Sequence, residues 1–155
     1  MRDRVHRRRG GITVRPFGMA LLVATCYGQD PIVPAIGDTL PKGTWGGENA
    51  GLIVNDTIAH AHIGCTLGNF PAPVTFAAAG RFTVDGTYVL RAFPVHIGPD
   101  LPAQFAGQVT GTRLTLIVTV NDTVDKKIVT LGPVTVSLGS DPRMGPCPIC
   151  RKPGE

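Results

Sequence analysis

The sequence predicts an all-β domain: a small antiparallel up-and-down β-barrel with one disulfide, or a β-sandwich as the alternative. Three observations lead there. Leu114, Leu116, Val118 and Val120 alternate with Arg113, Thr115, Ile117 and Thr119, a period of two that places the first set on one strand face. No stretch of about twelve residues carries a helical apolar stripe, and Glu48 is the single Glu between residues 43 and 150. Turn-forming pairs also punctuate the apolar runs: Asp85-Gly86, Thr110-Gly111, and a Val-Asn-Asp-Thr that occurs at 54–57 and again at 120–123.

In chain order, residues 1–26 come first. Arg2, Arg4, Arg7, Arg8, Arg9 and Arg15 precede Phe17-Gly18-Met19-Ala20-Leu21-Leu22-Val23-Ala24-Thr25, which stops at Cys26. Positive, then apolar, then small is the layout of a signal peptide. The apolar run is about nine residues against the roughly 20 that a spanning helix needs, so no permanent membrane span is expected. Val23-Ala24-Thr25-Cys26 resembles a bacterial lipobox, with Thr25 where Gly, Ala or Ser is usual. That resemblance implies acylation of Cys26 and a membrane anchor; cleavage near Gly28 and free secretion is the alternative.

Six of the 15 basic residues and one of the 11 acidic ones fall in 1–26, leaving nine and ten in 27–155, a net charge of −1. The basicity belongs to the export segment, and no basic stripe for nucleic acid remains in the rest. Residues 27–42 contain Pro31, Pro34 and Pro41 without periodicity and read as a flexible linker. The β-domain is placed at 43–150, a suitable length for one small domain, and 151–155 is expected to fray.

Within the domain, Ala59, Ala61, Ile63 and Cys65 are assigned to an inward face opposite His60, His62 and Gly64. Phe82 and Val84 lead into Asp85-Gly86, read as a two-residue hairpin turn before Tyr88 and Leu90. Phe105–Val109 turns at Thr110-Gly111 into Thr112–Val120, and Val134, Val136 and Leu138 alternate with Thr135 and Ser137. Seven or eight short strands with tight turns suit a barrel or a sandwich. Nearest-neighbour hairpins favour the barrel.

Gly43-Thr44-Trp45 resembles the Gly-x-Trp opening of lipocalin- and avidin-like barrels, which implies a Trp at one barrel end. A wider pattern resembles small exported bacterial all-β domains of unknown function. It comprises Trp45-Gly46-Gly47, Cys65, Gly80-Arg81-Phe82, Gly86-Thr87-Tyr88, Gly107-Gln108-Val109-Thr110-Gly111, Leu114-Thr115-Leu116 and a late Cys. That resemblance implies export, a β fold and a cysteine pair, and brings no catalytic residue.

The cysteines are Cys26, Cys65, Cys147 and Cys150. In an oxidising compartment one disulfide is expected. First and last strands are neighbours in a barrel, so Cys65–Cys147 would tie the C-terminal segment to the body; Cys65–Cys150 stays open. A loop of that size is worth about 4 kcal/mol in the chain-entropy model. Cys147-Pro148-Ile149-Cys150 also admits redox chemistry, or zinc binding with His60 and His62. Both are weak, because no helix follows the pair and the histidines lie opposite Cys65.

No metal, cofactor or catalytic residue is therefore expected. His60 and His62 read as surface residues and His96 as a loop residue. Ser137 and Ser140, the only serines, sit in no nucleophile context. Asp56 and Asp122 belong to the repeated turn, Asp125 lies just beyond it, and no phosphate loop precedes a helix. The small inward residues Ala59, Ala61 and Gly107 leave either a pocket or space for Phe82, Tyr88 and Phe105, and packing is the expectation. The chain thus reads as a non-enzymatic, exported and lipid-anchored cell-envelope domain with a structural or interaction role. An apolar-ligand barrel is the alternative, and a metal or redox protein the weaker one.

Overall fold

Alternation along each strand needs one dry side, and eight strands obtain it by closing on themselves. The structure, a computed structural model, describes residues 37–92 and 98–147. Its strands are β1 (Gly43–Gly47), β2 (Ala50–Val54), β3 (Ile58–Ile63), β4 (Thr66–Pro71), β5 (Arg81–Val89), β6 (Leu101–Thr110), β7 (Arg113–Asp122) and β8 (Lys127–Leu138). Each pairs antiparallel with the next, and β1 returns to β8 through Trp45 opposite Leu138 and Gly46 opposite Ser137. That last pairing makes the sheet a closed up-and-down barrel, not a sandwich. The one helical turn among the described residues is a 3-10 turn, Ala78–Gly80.

The period of two in β7 is realised without exception: Leu114, Leu116, Val118 and Val120 are buried, while Arg113, Thr115, Ile117 and Thr119 are exposed. Apolar inside and largely polar outside is the reverse of a transmembrane barrel, whose apolar band faces outward. Both Val-Asn-Asp-Thr segments make turns. Asn55 N donates to Ile58 O at 2.9 Å between β2 and β3. Between β7 and β8, Asp122 Oδ1 accepts from Val124 N and Asp125 N, each at 3.1 Å. Gly111, at φ +58°, supplies the left-handed step between β6 and β7.

Asp85-Gly86 is not a hairpin. β5 runs straight through it, pairing Asp85 with Gln104 and Gly86 with Ala103. Gly86 lacks the positive φ that such a turn requires, and it is a glycine for want of room. A Cβ there would lie 2.2 Å from Asn69 O and 2.9 Å from Phe105 Cε2. Gly68 and Gly107 repeat the device, with would-be Cβ positions 2.2 Å from Tyr88 Cδ2 and 2.4 Å from Phe82 Cζ. Three bare backbone positions on the inner wall thus receive three rings. With Trp45 and Phe70 they build a core in which these five aromatic residues are at most 4% exposed.

Two further expectations are corrected. Cys65 lies in the tight turn between β3 and β4, not on the inward strand face, because Gly64 at φ +58° ends the alternation after Ile63. Part of the presumed linker, residues 38–41, is packed structure. Leu40 is buried and its N–H donates to Val74 O, Phe76 N donates to Asp38 O, and Trp45 Nε1 donates to Pro41 O at 3.1 Å. Leu40 supplied one apolar residue without periodicity, too little to distinguish a plug from a tether.

We predict that Gly86→Ala destabilises the barrel by about 1–3 kcal/mol through overpacking. Gly37→Ala, with nothing within 4 Å of its Cβ position, should leave the urea midpoint unchanged. Equal midpoints for the two variants would contradict this packing.

Candidate functional site

After Leu138 the chain reverses at Gly139, at φ +78°, and climbs the outer face of β1 as a strap. Gly139 N donates to Thr44 O at 2.8 Å, Arg143 N to Gly47 O at 3.0 Å, and Asn49 N to Arg143 O at 2.8 Å. Glu48 and Arg143 form a parallel bridge and an exposed ion pair. The strap lies in a trough of two glycines. A Cβ on Gly46 would be 2.2 Å from the Asp141 carbonyl carbon, and one on Gly51 2.6 Å from Pro142 Cγ. The strap ends at Cys147, joined to Cys65 with an S–S distance of 2.06 Å across a sequence separation of 82.

The outward row through Gly46 and Gly51 continues into His62 and then Leu67. His62 therefore borders the trough. His60, two residues back on β3, stands opposite Asn69 of β4. The three side chains form one chain of contacts: His60 Nδ1 lies 2.6 Å from Asn69 Oδ1, and His60 Nε2 lies 2.8 Å from His62 Nε2. The imidazoles meet edge-on, with centroids 4.7 Å apart. Both are half-buried, and burial, with His60 as a second cause, holds His62 below the ordinary histidine value.

The other polar groups have local roles. Asp56 pairs with Lys42 in solvent. Asp122, 1% exposed, caps its own turn through Oδ1, while Oδ2 accepts no hydrogen bond and lies 3.8 Å from Arg91 Nη2. Asp125 accepts from Lys127 at 3.0 Å and from Arg91 at 2.8 Å, and the Lys127 hydrogen bond foremost lowers its pKa. Tyr88 OH lies 2.8 Å from Thr66 Oγ1, and burial pushes its phenol up to about 12. A cleft of about 590 Å³ beside the strap is lined by Arg113, Ser137, Ser140 and Arg143 among others.

Among the described residues no group of three or more His, Cys, Asp or Glu is placed to hold a metal ion. The conceived Cys147–Cys150–His60–His62 set is not assembled: Cys147 is bonded to Cys65, and Cys150 lies outside the described residues. Cys26, His96 and the segments 1–26 and 151–155 lie outside them too. Sequence reasoning missed Asn69 as the partner of His60; the signal was a lone amide on a strand, unreadable until register placed it. Compared with family models, curated proteins and solved structures, the chain matches none.

Replacing the cysteine pair, as in Cys65→Ala/Cys147→Ala, should cost about 2–5 kcal/mol of unfolding free energy, measured by denaturant titration. His62 titrates lower when folded than unfolded, so its protonation favours the unfolded chain. Its contribution is complete above about pH 6.5 and is lost as pH falls below that value. The melting temperature should therefore drop between pH 7.5 and 5.5, and His62→Gln should flatten that part of the profile.

Proposed function

We propose that this chain is an exported, lipid-anchored domain of a bacterial cell envelope, with a structural or interaction role carried by its outer surface. The observation that supports this most directly is the Cys65–Cys147 bond holding the strap. Such a bond persists where thiols are not kept reduced, and the Arg2-to-Cys26 segment has the layout of an export signal. The anchor rests on Cys26 and its lipobox-like neighbours. A surface role draws support from the interior, where Trp45, Phe70, Phe82, Tyr88 and Phe105 occupy the space that a ligand would need. The redox and Cys₂His₂ alternatives lose Cys147 to Cys65. No enzymatic step belongs to this reading.

Fractionation of the native host, followed by intact mass, tests it. The expected outcome is recovery with the membranes, an N-terminus at Cys26 carrying acyl mass, and one disulfide. Cys26→Ser should release the protein from the membrane fraction. A secreted chain beginning near Gly28 would remove the anchor, and a full-length cytosolic chain with reduced thiols would overturn the proposal.

A further inference from the structure

We propose that His60 and His62 form an outer-wall site for one divalent transition-metal ion, copper(II) ahead of nickel(II) and zinc(II). The inference rests on the geometry of the pair and is independent of where the chain resides. Two ring nitrogens 2.8 Å apart share a single proton. Asn69 Oδ1 accepts from His60 Nδ1–H, which leaves His60 Nε2 with a free lone pair. The shared proton therefore sits on His62 Nε2. Among the described residues His62 Nδ1 makes no hydrogen bond, so it can take that proton through solvent. Both lone pairs are then free for a metal, the rings stay neutral, and no net proton is released.

Donor type and the divalent affinity series order the metals. With metal–nitrogen bonds of about 2.0–2.1 Å, two nitrogens at a right angle are about 2.9 Å apart, and at the tetrahedral angle about 3.3 Å. The observed 2.8 Å is a hydrogen-bond separation, so it puts both nitrogens within reach of one ion without fixing the angle between them. Square or tetragonal geometry with nitrogen donors suits copper(II) and nickel(II), and copper(II) binds tightest in the divalent series. His62, tethered only by the shared proton, needs to swing its ring until both lone pairs converge. His60 is already oriented by Asn69, the outer-shell contact that metal-bound histidines characteristically make. Both imidazoles project from β3, which is laddered to β2 on one side and β4 on the other, so the backbone beneath them is fixed. The remaining coordination positions fall to water or to a group on a partner.

The test uses the full chain with free thiols alkylated, so that copper(II) is not reduced, titrated with copper(II) and followed by calorimetry and electron paramagnetic resonance. One ion per chain with hyperfine coupling to two equatorial nitrogens is expected, with affinity falling in the order copper, nickel, zinc. His60→Gln and His62→Gln should each abolish the two-nitrogen signal. Asn69→Ala should keep it while weakening binding about 10–100-fold. His96→Gln should change nothing. Should a histidine variant fail to melt like the parent, carbethoxylation of the parent gives a second readout. Protection of His60 and His62 by copper(II) supports the site. The proposal is overturned by a two-nitrogen signal that survives both histidine substitutions, by the absence of binding, or by unprotected rings.

Discussion

Closure is the constraint on which the rest of this molecule depends, and its seam has the least hydrogen-bonded ladder. Two residue pairs join β1 to β8, whereas eight join β6 to β7. β1 is only five residues long, and the Gly46 and Gly47 it contributes bring no side chains to cross-strand packing. The strap answers that deficit from outside. It runs parallel to β1, donates to Thr44 O and Gly47 O and accepts from Asn49 N, and its far end is bonded to the β3–β4 turn. Bare backbone at Gly46 and Gly51 is what lets it lie close. The same residues that weaken β1 as a strand make it a bed for the strap.

A second constraint follows from diameter. Eight strands enclose a space that side chains can just fill, or that one small ligand can occupy. Here the wall is thinned at Gly68, Gly86 and Gly107, and the freed volume goes to Tyr88, Phe105 and Phe82. Phe70 stands 4.6 Å from Phe105 between ring centroids, so the rings form a continuous body. Because the interior is spent on packing, the polar chemistry of the described residues collects on the outer wall and at the turns.

The sequence was most legible where a single physical demand acted on each residue. β7 faces apolar packing on one side and water on the other, and its alternation needed no further information. Asp85-Gly86 was misread because two demands favour the same residue: a left-handed turn and the close approach of a neighbouring ring both select glycine. Cys65 reads as a strand residue because alternation does not mark where a strand stops, and Gly64 in left-handed backbone ends β3 at Ile63 and leaves Cys65 in the turn. The packing of Leu40 and the contact of Asn69 with His60 depend on register between strands, which local pattern does not encode.

That difference in legibility bears on the histidine pair. Alternation alone put His60 and His62 on one outward face, and on that basis they were indistinguishable from ordinary surface residues. What separates them is the neighbourhood the barrel supplies. Gly51 beneath Pro142 brings the strap alongside His62, and Asn69 comes up beside His60 across the β3–β4 ladder. Partial burial removes some of the water that would stabilise a charged His62. The two rings are joined by one hydrogen bond, and the His60 nitrogen whose ring Asn69 holds in place is a donor already oriented for a cation.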